Sequence, residues 1–177
     1  AKAAVRFRHE GRIQMLLIEG KYTESYGAPL KAAGNLTRID RYQNLAFAPA
    51  GPIKVDLDLK IEDFFWEPFY QLLRQQMLAF QIQRAHDANA ESVRGLHISP
   101  AANRPLHKVT AEKLRPFSDD AFKAFKKVMV TPTDFIEWST EALFAPLLAD
   151  ATPWSRYLLD RYDFLSAEPQ SSEPTSK

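Results

Sequence analysis

The sequence contains no cysteine. This absence excludes disulfide bonds, thiolate metal sites and a cysteine nucleophile, and it fits a reducing compartment, so we expect a cytoplasmic protein. No apolar run approaches the roughly 18 residues needed to cross a bilayer, and no signal-peptide pattern opens the chain, so no membrane partner is expected. The sequence also lacks a Gly-x-Ser-x-Gly elbow and a glycine-rich phosphate loop, which argues against a serine hydrolase and against nucleotide hydrolysis.

A strong net charge is also absent, because the formal charge is only +1. The protein as a whole therefore has no strong positive electrostatic potential that would attract nucleic acid. A local basic cleft is still compatible with this net charge. With 45% hydrophobic and 25% charged residues in 177, the composition is that of one soluble globular domain. We expect a single domain over residues 1–165 and a disordered tail over 166–177, which is rich in Ser, Pro and Glu.

The rest of the chain is organised around an apolar run at Met15–Ile18, which is typical of a buried central strand. Residues 3–9 alternate in polarity and form the other arm of a predicted hairpin, with a turn at Glu10-Gly11. Glu19 and Lys21 follow the run directly. Side chains two apart on a strand point the same way, so these two are predicted to share one face at the strand end.

This acid and base suit phosphodiester chemistry. A carboxylate such as that of Glu19 can hold a hard cation, and the adjacent Lys21 ammonium can orient a water or polarise a phosphate oxygen. The alternative interpretation is an ordinary surface ion pair in an α/β scaffold, since such pairs are frequent. Two charges at the mouth of an apolar run carry a desolvation cost, which favours the functional interpretation.

The remaining pattern predicts helices alternating with strands. A helix begins near Asn35 and carries Arg38 and Arg41 three apart, either facing phosphates or forming a solvated face. A longer helix is predicted from about residue 62 to 86, with Gln71, Arg74 and Gln75 clustered beside its apolar stripe. Residues 53–60 fit a half-buried strand or an extended connection. The further predictions are strands at 93–99 and 128–130 and helices at 110–127, 133–144 and 154–165.

Three blocks, in order, resemble the PD-(D/E)xK nuclease superfamily, and more narrowly a group within it that carries a Glu-x-Lys-Tyr-Thr-Glu segment. They are Leu17-Ile-Glu-Gly-Lys-Tyr-Thr-Glu-Ser-Tyr26, the helical block that begins Glu67-Pro-Phe-Tyr-Gln71, and Leu96-His-Ile-Ser-Pro-Ala-Ala-Asn103. The resemblance implies an α/β fold with a restriction-endonuclease-like core, in which helices flank a mixed central sheet. Because the chain starts at Ala1 with strand-like residues, we expect the core's N-terminal part to be missing.

The resemblance also implies a Mg²⁺-dependent (or Mn²⁺-dependent) endonuclease acting on DNA. Glu19 would be the metal ligand, Gly20 would offer its backbone carbonyl to the metal, and Lys21 would position the attacking water. Gln71 or Gln75, together with Arg74, would be the contribution of the following helix. Arg38, Arg41 and Arg74 are the candidate nucleic-acid contacts.

One departure from the family pattern is serious. The superfamily places a metal-binding aspartate at the start of the preceding strand, where this sequence reads Ala-Lys-Ala-Ala, with Lys2 about where the acid belongs. Glu10 lies at the far end of that strand, and Glu24 is a substitute only if the next strand continues past Lys21. The alternative function is therefore a catalytically silent domain that binds DNA or a protein partner through its lysines and arginines. The sequence also leaves open whether the protein forms a homodimer.

Overall fold

A computed structural model of the chain describes residues 2–22 and 27–166. In this part of the chain four strands form one mixed sheet in the order β1-β2-β3-β4, with β1 antiparallel to β2 and the other three parallel. The strands are β1 (Ala3–His9), β2 (Arg12–Gly20), β3 (Ser92–Ser99) and β4 (Phe135–Ser139). The predicted α/β fold with a mixed sheet flanked by helices is confirmed.

The hairpin that opens the fold forms where the sequence predicts it. Glu10 and Gly11 both adopt positive φ, 50° and 81°, which suits the tight turn between twisted antiparallel strands. Pairing runs from His9↔Arg12 to Ala3↔Ile18, and the Lys2 amide extends it by donating to the Ile18 carbonyl at 2.8 Å. The prediction of a continuously buried run is wrong in one respect, because only Leu17 of β2 is fully buried.

Helices flank the sheet and pack around one another. The six helices within the described residues are α1 (Asn35–Ala46), α2 (Phe69–Arg84), α3 (Arg104–His107), α4 (Ala121–Val128), α5 (Thr140–Leu148) and α6 (Pro153–Arg161). Helix α2 lies against β3 and also contacts α1 and α4. Its buried positions include Phe69, Leu72, Leu73 and Met77, as the apolar stripe predicts. The described residues contain no helix that is both long and apolar enough to span a bilayer.

The predicted start of the long helix is wrong. Residues Ile61–Phe64 form a separate 3₁₀ turn, and α2 begins only at Phe69, after Pro68. Proline disfavours the helical conformation in the residue before it, so the helix starts at the proline rather than running through it. Residues 53–60 form no strand beyond an isolated bridge between Ile53 and Met129, so the extended connection is the correct interpretation.

The last strand, β4, lies where the sequence predicts the helix at 133–144. Phe135–Ser139 pairs in parallel with β3, and the helix expected from residue 133 begins only at Thr140, where the Ser139 hydroxyl accepts from the Ala142 amide at 3.0 Å. The segment Phe-Ile-Glu-Trp-Ser is rich in aromatic and β-branched residues, which suit a strand. The strand predicted at 128–130 is also wrong, because Val128 ends α4.

Helix α4 begins at a side-chain cap. One Asp120 oxygen accepts from the Phe122 and Lys123 amides at 3.0 and 2.9 Å, and the other lies 3.4 Å from Nδ1 of His107. Burial alone raises the pKa of the Asp120 carboxyl, but hydrogen bonds from the His107 ring and the Lys123 amide outweigh burial and hold that pKa below its ordinary value. The ionised form of Asp120 is therefore the one that the fold stabilises.

We expect Asp120→Ala to lower the free energy of unfolding by about 1 kcal/mol, the usual cost of losing a helix cap. Since folding depresses this pKa, the contribution is fully present above the pKa of the unfolded carboxyl and is lost as pH falls through the folded value. Urea unfolding at neutral and at acidic pH checks both points. Asp119→Ala, an exposed neighbouring acid, is the control, and an equal loss in both variants would contradict the role of the cap.

Candidate active site

The candidate site lies at the carboxyl end of β2, on the edge of the sheet where the parallel strands end together. Glu19 and Lys21 project from the same face, with Lys21 Nζ 3.7 Å from Glu19 Oε1. Their side chains are only 15% and 11% exposed, respectively. Screening by water is weak for such a pair, so both charges act strongly on whatever binds beside them. The geometry predicted from strand alternation is confirmed, although the roles assigned to the two residues stay predictions.

A cavity of about 540 Å³ opens beside Glu19. Its walls come from the loop before α2 and from α1 and α2. The lining residues are Glu19, Tyr42, Leu45, Glu67, Tyr70, Gln71, Arg74, Gln75, Met77, Leu78 and Gln81. The volume lies within the range of small-molecule sites, and its mixture of carboxylates, amides and an arginine suits a polar, charged ligand.

Glu67 brings a second carboxylate into this cavity. Burial raises the pKa of the Glu67 carboxyl, against hydrogen bonds from the Gln71 side chain and backbone and the positive charges of Lys21 and Arg74. Its Oε2 is buried and accepts no hydrogen bond within the part of the chain that the structure describes. A buried oxygen without a donor is costly, and it marks a place where a ligand would satisfy it.

The two glutamines predicted on α2 have different surroundings. Gln75 is only 7% exposed, and its Nε2 donates to the backbone carbonyl of Leu17 in β2. Gln75 therefore ties α2 to the strand that carries Glu19. Gln71 lies half-buried in the cavity wall and hydrogen-bonds the Glu67 carboxylate. The structure brings both predicted glutamines to the site, one inside the helix–sheet contact and one at the cavity surface.

We expect Gln75→Ala to lower the free energy of unfolding by about 1–3 kcal/mol, because it removes a donor in the buried contact between α2 and β2. Gln71→Ala should cost less, about 0.5–1 kcal/mol, because its side chain is half-exposed and loses one hydrogen bond to the Glu67 carboxylate. Equilibrium unfolding in urea compares the two variants directly. Equal stability of both variants would show that Gln75 does not tie α2 to β2.

The three predicted arginines do not act as one patch. Arg74 lines the cavity and stacks over Tyr70, with 5.5 Å between its guanidinium carbon and the ring centroid. Arg38 stacks on the same ring at 5.5 Å but donates to the Lys31 carbonyl at 2.9 Å and to Asn35 Oδ1 at 2.6 Å. Arg38 thus holds the start of α1, whereas Arg41 is exposed. Arg74 is the one that the structure places beside Glu19, and DNA binding by all three stays a prediction.

Lys2 stands where the expected aspartate is missing. Lys2 directly precedes β1; its amide donates to the Ile18 carbonyl at 2.8 Å and its Nζ to the Gly20 carbonyl at 2.9 Å. The carbonyl predicted to face a metal ion therefore carries a lysine hydrogen bond in this structure, and the Gly20 assignment stays a prediction. Glu24, the other candidate acid, lies outside the described residues.

A second polar arrangement lies at the end of β3. Ser99 Oγ is 3.3 Å from Nε2 of His107, whose Nδ1 faces Asp120. The order of groups is that of a serine hydrolase, but Ser99 is only 3% exposed, and a nucleophile must reach its substrate. We interpret the contacts from Ser99 through His107 to Asp120 as a structural connection between β3 and α4. His97 packs against the Phe122 ring with 4.5 Å between ring centroids.

The site residue that sequence reasoning missed is Glu67. Its signal was helical spacing, because Glu67, Gln71, Arg74 and Leu78 stand at i, i+4, i+7 and i+11 and all line the cavity. Glu67 begins a block that resembles a helix of the family, and the resemblance assigns this acid no role. The position of its side chain depends on how the loop before α2 meets β2, which local sequence does not specify.

Comparison with known families gives one match. Residues 3–163 match a family described as Restriction Endonuclease associating with ARP, abbreviated REase-ARP. No curated protein and no solved structure shows a significant match to the chain. The matched span includes all four strands, the Glu19–Lys21 pair and the complete cavity lining, so the match concerns the residues that form the candidate site.

Proposed function

The chain belongs to the REase-ARP family of restriction-endonuclease-like proteins, and from that membership we propose that it hydrolyses phosphodiester bonds of DNA with Mg²⁺ or Mn²⁺. The observation that carries the proposal is the Glu19–Lys21 pair, 3.7 Å apart and mostly buried beside a 540 Å³ cavity. An acid and a base of this kind beside a cavity supply a cation ligand and a group that handles the attacking water.

The residues present fit a hard divalent cation. Mg²⁺ prefers oxygen ligands and is commonly held by one or two carboxylates together with water and phosphate oxygens. Glu19 faces the cavity, and Oε2 of Glu67 is a buried oxygen that accepts no hydrogen bond from the described residues. Those residues contain no group of three or more His, Cys, Asp or Glu side chains suited to a metal, so a cage built only from protein ligands is not what the geometry offers.

Each side chain has a task that follows from its position. Glu19 would hold the cation, which would polarise the scissile phosphate and activate a water. Lys21, held against Glu19, presents an ammonium that orients the attacking water and stabilises negative charge developing on the phosphate. Arg74 lies at the exposed side of the cavity, where it binds a neighbouring phosphate and so fixes the position of the DNA strand. Gln71 keeps the Glu67 carboxylate in place.

The proposal is tested by a plasmid-nicking assay in Mg²⁺, Mn²⁺, Ca²⁺ and EDTA. We expect nicking in Mg²⁺ or Mn²⁺ and none in EDTA, and isothermal titration calorimetry should show that the protein binds the same ions without DNA. Cleavage that persists in EDTA would contradict the metal-dependent reaction. A protein that binds neither metal nor DNA would contradict the proposed function as a whole.

A second function, DNA binding without cleavage, is favoured by one observation. Lys2 Nζ donates to the carbonyl of Gly20, the residue between Glu19 and Lys21, and so adds a positive charge to this end of β2. A groove with Lys2, Lys21 and Arg74 would neutralise about three phosphates, and the logarithm of the binding constant would then fall with the logarithm of salt concentration with a slope of about −3. Salt-dependent binding together with an absence of nicking in every metal would support this function over the enzyme.

A further inference from the structure

A single carboxylate makes a weak magnesium site, and the strand that should supply the second one does not. β1 (Ala3–His9) contains no acidic residue, and Lys2, directly before it, places its Nζ on the Gly20 carbonyl at 2.9 Å. A lysine there repels a cation instead of holding it. If the protein binds a divalent ion beside Glu19, another element has to bring the second carboxylate.

Glu67 has the position and the chemistry for this task. It precedes α2 rather than lying in a strand, and it lines the same cavity as Glu19. Its backbone amide donates to the Ala28 carbonyl at 3.4 Å, so the loop that carries it is joined to the segment following β2. Gln71, one helical turn further on, hydrogen-bonds the carboxylate and orients it.

The orientation leaves one oxygen for a ligand. Glu67 Oε2 is sealed from solvent and accepts no hydrogen bond among the described residues, although Lys21 and Arg74 lie near enough for their charges to act on the carboxylate. A carboxylate whose only purpose was to cap α2 would be satisfied by the helix and by water. A buried carboxylate oxygen of this kind, in a cavity shared with a second carboxylate, is suited to a hard cation.

We propose that Glu67 is the second carboxylate ligand of the divalent-cation site, so that the site is built from β2 and the loop before α2 instead of from β1 and β2. This inference rests on the proposed metal-dependent function. It assigns the place of the missing strand aspartate to a residue about fifty positions further along the chain than Glu19. Lys2 is then free to contact the Gly20 carbonyl without being part of the ligand set.

The inference is tested by calorimetric titration of Mn²⁺ and Mg²⁺ into the full chain and three variants, without DNA. Glu67→Gln keeps the shape of the side chain and removes its charge, Glu67→Asp keeps the charge but shortens the side chain, and Glu62→Gln changes an exposed acid in the preceding 3₁₀ turn. We expect Glu67→Gln to weaken Mn²⁺ binding by about ten- to a hundred-fold and Glu67→Asp to weaken it less, with Glu62→Gln unchanged.

Thermal unfolding with and without Mn²⁺ separates this role from that of a helix cap. We expect the cation to raise the melting temperature of the wild-type protein and of Glu62→Gln but not that of Glu67→Gln. If Glu67→Gln binds Mn²⁺ as the wild type does while melting earlier, Glu67 is only a cap and the inference is wrong, although the nuclease proposal stands. If the wild type binds no cation and cuts no DNA, both proposals fail together.

Discussion

Glu19→Gln is expected to reduce metal-dependent DNA nicking by about a thousand-fold or more. Glutamine keeps the shape of the side chain but loses the charge that binds the cation, and metal catalysis supplies several kcal/mol, at 1.4 kcal/mol for each tenfold in rate. Lys21→Met should reduce nicking by about 10²–10³-fold, the usual effect of removing one group that stabilises charge in the transition state. Single-turnover nicking rates at saturating Mg²⁺ measure both losses.

The double variant carrying Glu19→Gln and Lys21→Met sharpens this prediction. Each single change removes the ion-pair contact of one largely buried charge and so lowers stability, whereas the double change removes both charges. We expect the double variant to unfold at a higher temperature than either single variant and to be about as inactive as Glu19→Gln, because groups that act together are not additive. Loss of activity with recovered stability assigns the effect to chemistry rather than to misfolding.

A control ion pair lies on β4, two strands away from β2 in the sheet. Glu137 in β4 lies 3.6 Å from Lys126, an ion pair of similar geometry that contributes nothing to the cavity lining. Glu137→Gln should leave the nicking rate within about twofold of the wild type, since Glu137 does not line the cavity. Cleavage that survives Glu19→Gln, or that depends equally on Glu137, would show that the reaction occurs elsewhere on the molecule.

Phe122→Ala is expected to cause the largest loss of stability, about 3–5 kcal/mol, the usual cost of truncating a buried phenylalanine. The ring is 2% exposed and joins α4 to the sheet. It lies 4.5 Å from the His97 ring, 4.8 Å from the His107 ring and 6.0 Å from the Phe135 ring, measured between ring centroids. Removing it leaves a cavity between α4 and strands β3 and β4, which neighbouring atoms fill only in part.

Urea unfolding measures this loss, and two variants bracket it. Phe122→Leu keeps most of the volume and should cost less than about 1.5 kcal/mol. Leu36→Ala removes a side chain that is 84% exposed on α1 and should change stability by no more than about 0.5 kcal/mol. If Phe122→Ala cost no more than Leu36→Ala, α4 would not depend on this ring for its contact with the sheet.

Local patterns were enough to predict the first part of the fold. The turn at Glu10-Gly11 and the alternating direction of side chains along β2 are properties of adjacent residues. They place Glu19 and Lys21 on one face without any information on tertiary contacts. The apolar stripe of α2 follows the same logic at helical spacing. These predictions succeeded because hydrogen bonding between neighbouring residues and the burial of one face favour the same conformation.

The sequence predictions were wrong where the conformation of a segment depends on the element that it packs against. The segment Phe135–Ser139 has a local preference for a strand, but its five residues are too few to separate a strand from a helix, and pairing with the parallel edge of β3 makes it a strand. Lys2 occupies the position where the family pattern has an aspartate, and the structure places its ammonium on the Gly20 carbonyl. Glu67 had a helical-spacing signal, but its nearness to Glu19 comes from packing α2 against the sheet.

The sequence by itself determined the mixed α/β character of this protein, its hairpin and the pairing of an acid with a base at the end of β2. Only the tertiary structure decided that Glu67 joins them, because Glu67 reaches the cavity through the docking of α2 on the sheet, beside Gln71 and Arg74, which the resemblance predicts. Strand alternation and helical periodicity depend on backbone geometry over a few residues. The gathering of carboxylates about fifty positions apart depends on long-range burial, which no local pattern encodes.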